Sequence, residues 1–180
     1  DGFSISGADH WYSLPSHRVR AMNNELAQST FLPGWLRAVG PGWISWGVES
    51  FLDEIADQMG QDPVAMRMGL LDGAGKNAGG DGSTVGGAKR LAAVLKDVSD
   101  RAGWGREMPV NEGLGVAVGH GQERGMPTWI ACVAHVAVDP SSGDVTLKKL
   151  WQTIDVGTVV NPDGAMAQAE GAALWGVSLA

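Results

Sequence analysis

Apolar residues at helical spacing dominate the middle of the first hundred positions. Residues 1–30 show little pattern and are expected to be extended, and the glycines and prolines of residues 31–43 predict a loop. Gly60 is placed to cap the helix that follows. The apolar side chains of that helix lie three or four positions apart and would share one buried face: Val48, Phe51, Leu52, Ile55 and Met59.

Two more helices are predicted before residue 104. Asp62 can cap the first, and Pro63 suits its first position because the N–H group that proline lacks is not needed there. The second carries Asp97 and Arg101 as an outer pair four residues apart and ends at Gly103. Its inward side chains are Leu91, Ala92, Leu95, Val98 and Ala102.

The pattern changes after residue 110 to short apolar runs rich in β-branched residues. Residues 113–119 and 129–138 predict strands. The second is apolar on both faces apart from His135, so it is expected to be central. A turn cluster at residues 139–144 and the alternation of residues 145–154 predict an antiparallel return strand.

The last helix is expected to begin at Asn161-Pro162 and is rich in Ala and Gly. It reaches the apolar residues 175–180 without a stop signal, which predicts exposed apolar surface there and a chain cut from a longer one. The fold class is therefore α+β, with a helical first part, a small antiparallel sheet and a final helix. Residues 1–110 would form a mainly helical lobe, and residues 111–180 the strand hairpin and last helix.

Composition and charge exclude several classes of function. A chain of 180 residues with 44% hydrophobic residues can bury a core as one domain or two small lobes. The net charge of −7, without a dense Lys/Arg run, argues against binding to nucleic acid or an anionic membrane surface. Cys132 is the single cysteine, so the chain can form neither an internal disulfide nor a cysteine-ligated cluster. Localisation stays open between cytoplasm, bacterial periplasm and membrane association.

A glycine-rich stretch imitates a phosphate-binding loop. Between Gly69 and the Gly75-Lys76 pair the spacing is one residue too long, and Asn77 stands where a Ser or Thr should bind magnesium. The segment before it reads as a helix, whereas that motif follows a strand. A surface loop is favoured, and nucleotide binding is kept as an alternative.

The polar candidates are otherwise scattered. The four histidines have no metal-ligand spacing, so no metal site made of protein side chains is expected. Glu49 lies beside the apolar stripe of its helix and is expected to be a half-buried salt-bridge partner rather than a general acid.

Two segments carry a resemblance to a known family. They are residues 35–40 with 47–56, and residues 155–164 with 167–171. In this order they resemble the molybdenum-binding large subunit of the xanthine dehydrogenase and aldehyde oxidase family. The likeness is to the branch of the isoquinoline 1-oxidoreductase large (beta) chain and similar bacterial aldehyde dehydrogenases. It covers about residues 12–180 and implies an internal fragment of a molybdopterin-binding domain.

The resemblance implies three site residues. Arg37 corresponds to the arginine of a Phe-Arg-Gly-Phe-Gly loop at the molybdenum site, although Leu36, Ala38 and Val39 replace its neighbours. Ala167 and Gln168 correspond to a Gly-Gln pair that contacts the pterin, and the last helix is expected to offer free N–H groups to anionic atoms. The alternative is that the small residues only permit tight helix packing.

No catalytic residue is expected in this chain beyond a substrate-orienting role for Arg37. The family's catalytic glutamate lies near the C-terminus of the large subunit, and Glu170 does not correspond to it. The chain by itself is therefore expected to be inactive and to retain the cofactor poorly.

The reaction that the resemblance implies is oxidation of an N-heteroaromatic compound or an aldehyde, with water as the oxygen source. The cofactor would be molybdopterin in its cytosine dinucleotide form. A small partner subunit would carry iron–sulfur clusters, and a cytochrome c would accept the electrons. The competing interpretation is a non-catalytic docking module of the same ancestry.

Overall fold

The helices precede the sheet, and one helix follows it. The computed structural model describes residues 7–8, 10–31, 34, 36–73, 87–121 and 128–180. Within these ranges the helices are α1 (Glu25–Thr30), α2 (Gly40–Met59), α3 (Pro63–Leu70), α4 (Gly87–Ala102) and α5 (Pro162–Leu179), and the strands are β1 (Glu112–Gly121), β2 (Thr128–Val138) and β3 (Val145–Asp155). The predicted α+β class is confirmed.

The sheet has β2 at its centre, as the apolar faces of that strand predicted. Its order is β1-β2-β3, and both pairings are antiparallel. Helix α4 packs across β2 and β3, and α2 packs on β1. Trp129 and Val133 of β2 meet Leu91, Leu95 and Val98 of α4 in the buried core. This core joins residues on either side of residue 110, and the division of the chain at that point stays a prediction.

The two ends of α2 differ from the expected pattern. The helix begins at Gly40 with Pro41 in its first turn, so the predicted loop is shorter than residues 31–43. Gly60 caps its C-terminus in the left-handed conformation, as expected. Phe51 and Met59 are exposed, because α2 turns the neighbouring face toward the core; that face carries Glu49, Leu52 and Ala56.

The expectation of extended backbone through residue 30 is wrong at its end. Residues 25–30 form helix α1, where the Asn24 side chain accepts a hydrogen bond from the Ala27 N–H at 3.0 Å. The cap supplies a local start signal that the weak apolar pattern did not reveal. The glycine-rich imitation of a phosphate-binding loop lies mostly in residues 74–86, outside the described residues.

A buried ion pair joins α2 to α3. The Arg67 Nε donates to the Glu49 carboxylate at 2.9 Å, and its Nη2 donates to the Glu49 backbone carbonyl at 2.9 Å. The same carboxylate accepts hydrogen bonds from the Tyr12 hydroxyl at 2.8 Å and the Val118 N–H at 3.0 Å. Four segments distant in sequence therefore converge on one carboxylate, and the salt-bridge role expected of Glu49 is confirmed.

The protonation of Tyr12 follows from this network. Burial, first, and then the adjacent Glu49 charge raise the pKa of the Tyr12 phenol well above its ordinary value. The hydroxyl therefore remains a donor to the carboxylate. Arg67 is completely buried and also donates to Asp53 at 2.7 Å, so its charge is balanced on two sides.

Candidate cofactor-binding site

Helix α5 presents an open surface made largely of small residues. It contains no buried side chain, and Ala167 and Gln168 are both exposed. A Cβ atom added at Gly171 would meet no other atom within 4 Å. Within the described residues, the Gln168 amide forms no hydrogen bond. This face can receive a flat polar ligand, because the main chain is accessible and the amide can both donate and accept.

The start of α5 offers fewer free N–H groups than the sequence led us to expect. The Asn161 side chain accepts a hydrogen bond from the Gly164 N–H at 3.1 Å, and its carbonyl accepts one from Ala165 at 3.0 Å. Pro162 has no N–H, which leaves the amide of the acidic residue Asp163. The expected set of free donors is therefore wrong: capping consumes one, and the Asp163 carboxylate opposes an anion there.

Arg37 lies in a strained turn immediately before α2. The turn is closed by hydrogen bonds from the Val39 N–H to the Leu36 carbonyl at 2.9 Å and from the Gly42 N–H to the Val39 carbonyl at 3.1 Å. Ala38 and Val39 have φ angles of 73° and 48°, a region that L residues, and β-branched ones above all, rarely occupy. The resemblance places a glycine at Ala38, where such a backbone would cost little. Trp35, from the same segment, lies outside the described residues.

The turn and α5 meet at Trp175. The Arg37 guanidinium carbon lies 5.5 Å from the centre of the Trp175 ring, within the range of a cation–π contact. Gln168 and Trp175 are separated by two helical turns, so they share one face of α5 and lie about 10 Å apart along it. The structure thus brings Arg37 to the face that carries Gln168, although the two residues are 131 positions apart in sequence.

A second arginine anchors the segment that leads into α5. Arg90 of α4 donates from Nε to Asp155 at 2.6 Å, forms a second contact through Nη2, and stacks 4.0 Å from the centre of the Trp129 ring. Asp155 also accepts a hydrogen bond from the Gly157 N–H at 3.0 Å. The end of β3 is therefore tied to α4, which orients the turn before the last helix.

Removal of the Arg90 guanidinium should weaken this anchor in a pH-dependent manner. The Arg90 hydrogen bonds hold the pKa of Asp155 below its ordinary value of 3.8. A depressed carboxylate pKa adds stability that is complete above the ordinary value and is lost as pH falls through the folded value. Because the pair is partly exposed, Arg90→Met should cost about 1 kcal/mol near neutral pH, and less below about pH 4.

Urea unfolding at several pH values measures the Arg90 effect. Arg101→Met is the matched control, since Arg101 pairs with Asp97 at 3.6 Å on the exposed face of the same helix. The control should change the free energy of unfolding by less than about 0.5 kcal/mol. An Arg90→Met effect that does not shrink in acid would contradict the role given to Asp155.

Sequence reasoning missed three of the residues that shape this site. Trp175 was regarded only as part of an apolar end, and Arg90 and Trp129 carried no signal that they would stack. The Arg90–Asp155 pair joins residues 65 positions apart, which no local period reveals. The exposure predicted for the end of α5 is confirmed, with Leu174, Val177 and Leu179 among its exposed side chains.

Metal ligands and membrane spans were sought in the same ranges. No cluster of three or more His, Cys, Asp or Glu side chains suited to a metal ion occurs within the described residues. Likewise, none of the helices in that part of the chain combines the length and hydropathy required to span a membrane.

An exposed, small-residue helix with an available glutamine suits a protein that holds a large planar cofactor, and the sequence comparisons identify which. The chain belongs to the molybdopterin cofactor-binding domain family, whose model matches residues 89–180. It is 54% identical to the membrane-bound aldehyde dehydrogenase [pyrroloquinoline-quinone] of Gluconacetobacter polyoxogenes over 99% of its own length. It is 27% identical to the beta chain of isoquinoline 1-oxidoreductase from Brevundimonas diminuta over 94% of its length, and 29% identical to the B chain of nicotinate dehydrogenase from Pseudomonas putida over 88%.

These relatives are much longer than the chain. The chain spans 23%, 19% and 13% of their respective lengths. The family match includes Ala167 and Gln168, whereas Arg37 precedes it. The individual roles of Arg37, Ala167 and Gln168 therefore remain predictions.

Proposed function

We propose that this chain is part of the large, cofactor-binding subunit of a molybdenum-dependent oxidoreductase. The observation that carries the proposal is the exposed Ala167–Gln168 pair on the open face of α5, inside the segment that matches the molybdopterin-binding family. The reaction is oxidation of a small aldehyde or N-heteroaromatic compound, with water as the oxygen source. The catalytic glutamate of the resemblance lies in another part of the large subunit.

The residues of this chain would bind and orient rather than react. When bound, the molybdenum cofactor supplies the redox chemistry by accepting two electrons from the substrate. Gln168 donates and accepts hydrogen bonds at the polar edge of the pterin, and Ala167 and Gly171 let a planar ring system approach the helix. Arg37 orients the substrate or stabilises negative charge that develops on it.

The similarity to named relatives favours an aldehyde as the substrate. The relative at 54% identity is named an aldehyde dehydrogenase, whereas those named for isoquinoline and nicotinate are 27% and 29% identical. The first name also contains pyrroloquinoline quinone, a cofactor that differs from the one in the family description. We propose molybdopterin because the family match covers the α5 face itself.

The electron path requires groups outside this chain. Cys132 is its single cysteine, and burial raises the pKa of its thiol to about 11, so it is a poor thiolate ligand. We accordingly propose iron–sulfur clusters on a small partner subunit and a cytochrome c as the electron acceptor. The cytosine dinucleotide form of molybdopterin is the proposed cofactor.

Metal and cofactor analysis of the full-length protein tests the class. The protein should be co-expressed with its partner in a host that makes molybdopterin, and molybdenum, iron, quinone and released nucleotide should be measured together. About one molybdenum per large subunit, with iron on the partner and cytosine dinucleotide released, is the expected result. Stoichiometric quinone without molybdenum would refute the proposal.

Replacement of Gln168 tests the face itself. Gln168→Ala removes both hydrogen-bonding groups without adding bulk, so we expect the molybdenum content of the protein to fall about tenfold, which corresponds to the loss of one well-aligned hydrogen bond to a polar ligand. Gln58→Ala is the matched control, because Gln58 is also an exposed helical glutamine, on α2. Equal molybdenum content in both variants would show that Gln168 does not hold the cofactor.

The alternative is a docking module of the same ancestry that binds no cofactor. It predicts a folded full-length protein without molybdenum or quinone, even from a competent host. The strained turn at Ala38 and Val39 argues against it, because strained backbone is usually retained where a ligand or a reaction depends on it.

A further inference from the structure

We propose that Trp175 is a positioning residue that holds the Arg37 guanidinium over the ligand-binding face of α5. The inference rests on the proposed function, which assigns that face to the cofactor. Its geometric basis is the contact between the Arg37 guanidinium carbon and the Trp175 ring, 5.5 Å from the ring centre. Indole is the aromatic ring that attracts a cation most strongly.

Arg37 needs such a partner to adopt one orientation. Its side chain is exposed, and no carboxylate forms an ion pair with it within the described residues. A long exposed side chain of this kind samples many rotamers unless something restricts it. The backbone that carries it is already restricted by the positive φ angles of Ala38 and Val39. The ring of Trp175 supplies the restriction at the other end of the side chain.

The position of Trp175 on α5 explains why this contact matters for a ligand. Trp175 lies two turns after Gln168 on the same helix face, so the indole and the amide flank the surface between them. Gly171 lies between these two turns, where an added Cβ would meet nothing within 4 Å. A ligand seated on Gln168 and spanning this open surface would reach the guanidinium that Trp175 holds. The arginine thereby acts on the ligand, and the tryptophan acts through the arginine.

A double-mutant cycle on the full-length enzyme tests this coupling. Trp175→Ala should lower kcat/KM per bound molybdenum about tenfold, since small losses of orientation have large effects on reacting groups. Arg37→Ala should lower it at least as much, and the double variant should match Arg37→Ala alone. Trp175→Phe keeps a ring and should restore most of the activity. Trp46→Ala is the control, because Trp46 is an exposed tryptophan on α2.

A second measurement reads the contact without activity. Phenylglyoxal modifies accessible arginines, and peptide mass spectrometry reports the rate at Arg37. We expect Trp175→Ala to raise that rate severalfold, while Trp175→Phe and Trp46→Ala stay near the original protein. An unchanged rate at Arg37 in Trp175→Ala, or additive losses of kcat/KM in the double variant, would overturn the proposal.

The two readouts separate failure of this inference from failure of the proposed function. A protein without molybdenum refutes the proposed function, and the modification rate still decides whether Trp175 holds Arg37. A protein that contains molybdenum and is active, but has a Trp175→Ala variant identical to the original in both measurements, refutes the inference alone.

Discussion

Arg67→Met is expected to lower the free energy of unfolding by about 3–5 kcal/mol. The substitution keeps an apolar side chain of similar length but leaves the Glu49 carboxylate buried without its cation. Two remaining donors, the Tyr12 hydroxyl and the Val118 N–H, stabilise that charge only in part. The cost arises mainly from the stranded charge, because breaking one side of a buried pair is much worse than never forming it.

Chemical denaturation of Arg67→Met beside Lys96→Met provides the measurement. Lys96 also forms an ion pair on a helix, with Asp100, but both side chains are about two-thirds exposed. Removal of the same charge there should change stability by less than about 0.5 kcal/mol. A double variant, Arg67→Met with Glu49→Gln, should be less destabilised than Arg67→Met alone. Equal losses for the Arg67 and Lys96 variants would contradict the importance of burial.

Gly87→Ala is expected to destabilise the protein by about 2–3 kcal/mol, the reverse of the usual effect of this change in a helix. A Cβ at Gly87 would lie 2.1 Å from Cζ3 of the Trp11 ring, well inside van der Waals contact. The ring cannot move away cheaply, because it is buried and lies against His120 and Trp129. Close packing therefore overrides the helix propensity of alanine.

A matched substitution makes the Gly87 prediction a test of sign. Gly47 lies within α2, and a Cβ there would meet no atom within 4 Å. Gly47→Ala should therefore stabilise the protein by up to about 1 kcal/mol, as intrinsic helix propensity requires. Thermal unfolding of both variants suffices. If Gly87→Ala also raised the midpoint, the contact between Trp11 and the start of α4 would have to be abandoned.

Local signals predicted the secondary structure because they act within a few residues. Asp62 and Asn161 cap α3 and α5 through hydrogen bonds to the amides three positions later, as their residue types indicate. The apolar character of β2 on both faces predicted its central place in the sheet. The buried face of α2 was predicted less well. Its rows at Phe51 and Leu52 are both apolar, and only the position of β1 decides which row turns inward.

The candidate site divides in the same way. Ala167 and Gln168 could be named from a short motif, since both belong to one helix and their exposure follows from its lack of large polar neighbours. The contact of Arg37 with Trp175 and the stack of Arg90 on Trp129 could not be named from any motif. Each joins segments far apart in the chain, and only the complete fold sets their distance.

By itself, the sequence determined the α+β class, most helix caps, the strand order and the family resemblance, because propensity, capping and periodicity are local properties. Tertiary structure decided where the charges lie and which cations meet which rings. Glu49 became a buried acceptor for three segments, and Arg37 was brought to the α5 face, only when helices and sheet packed together. Such contacts depend on the meeting of surfaces whose positions no single segment specifies.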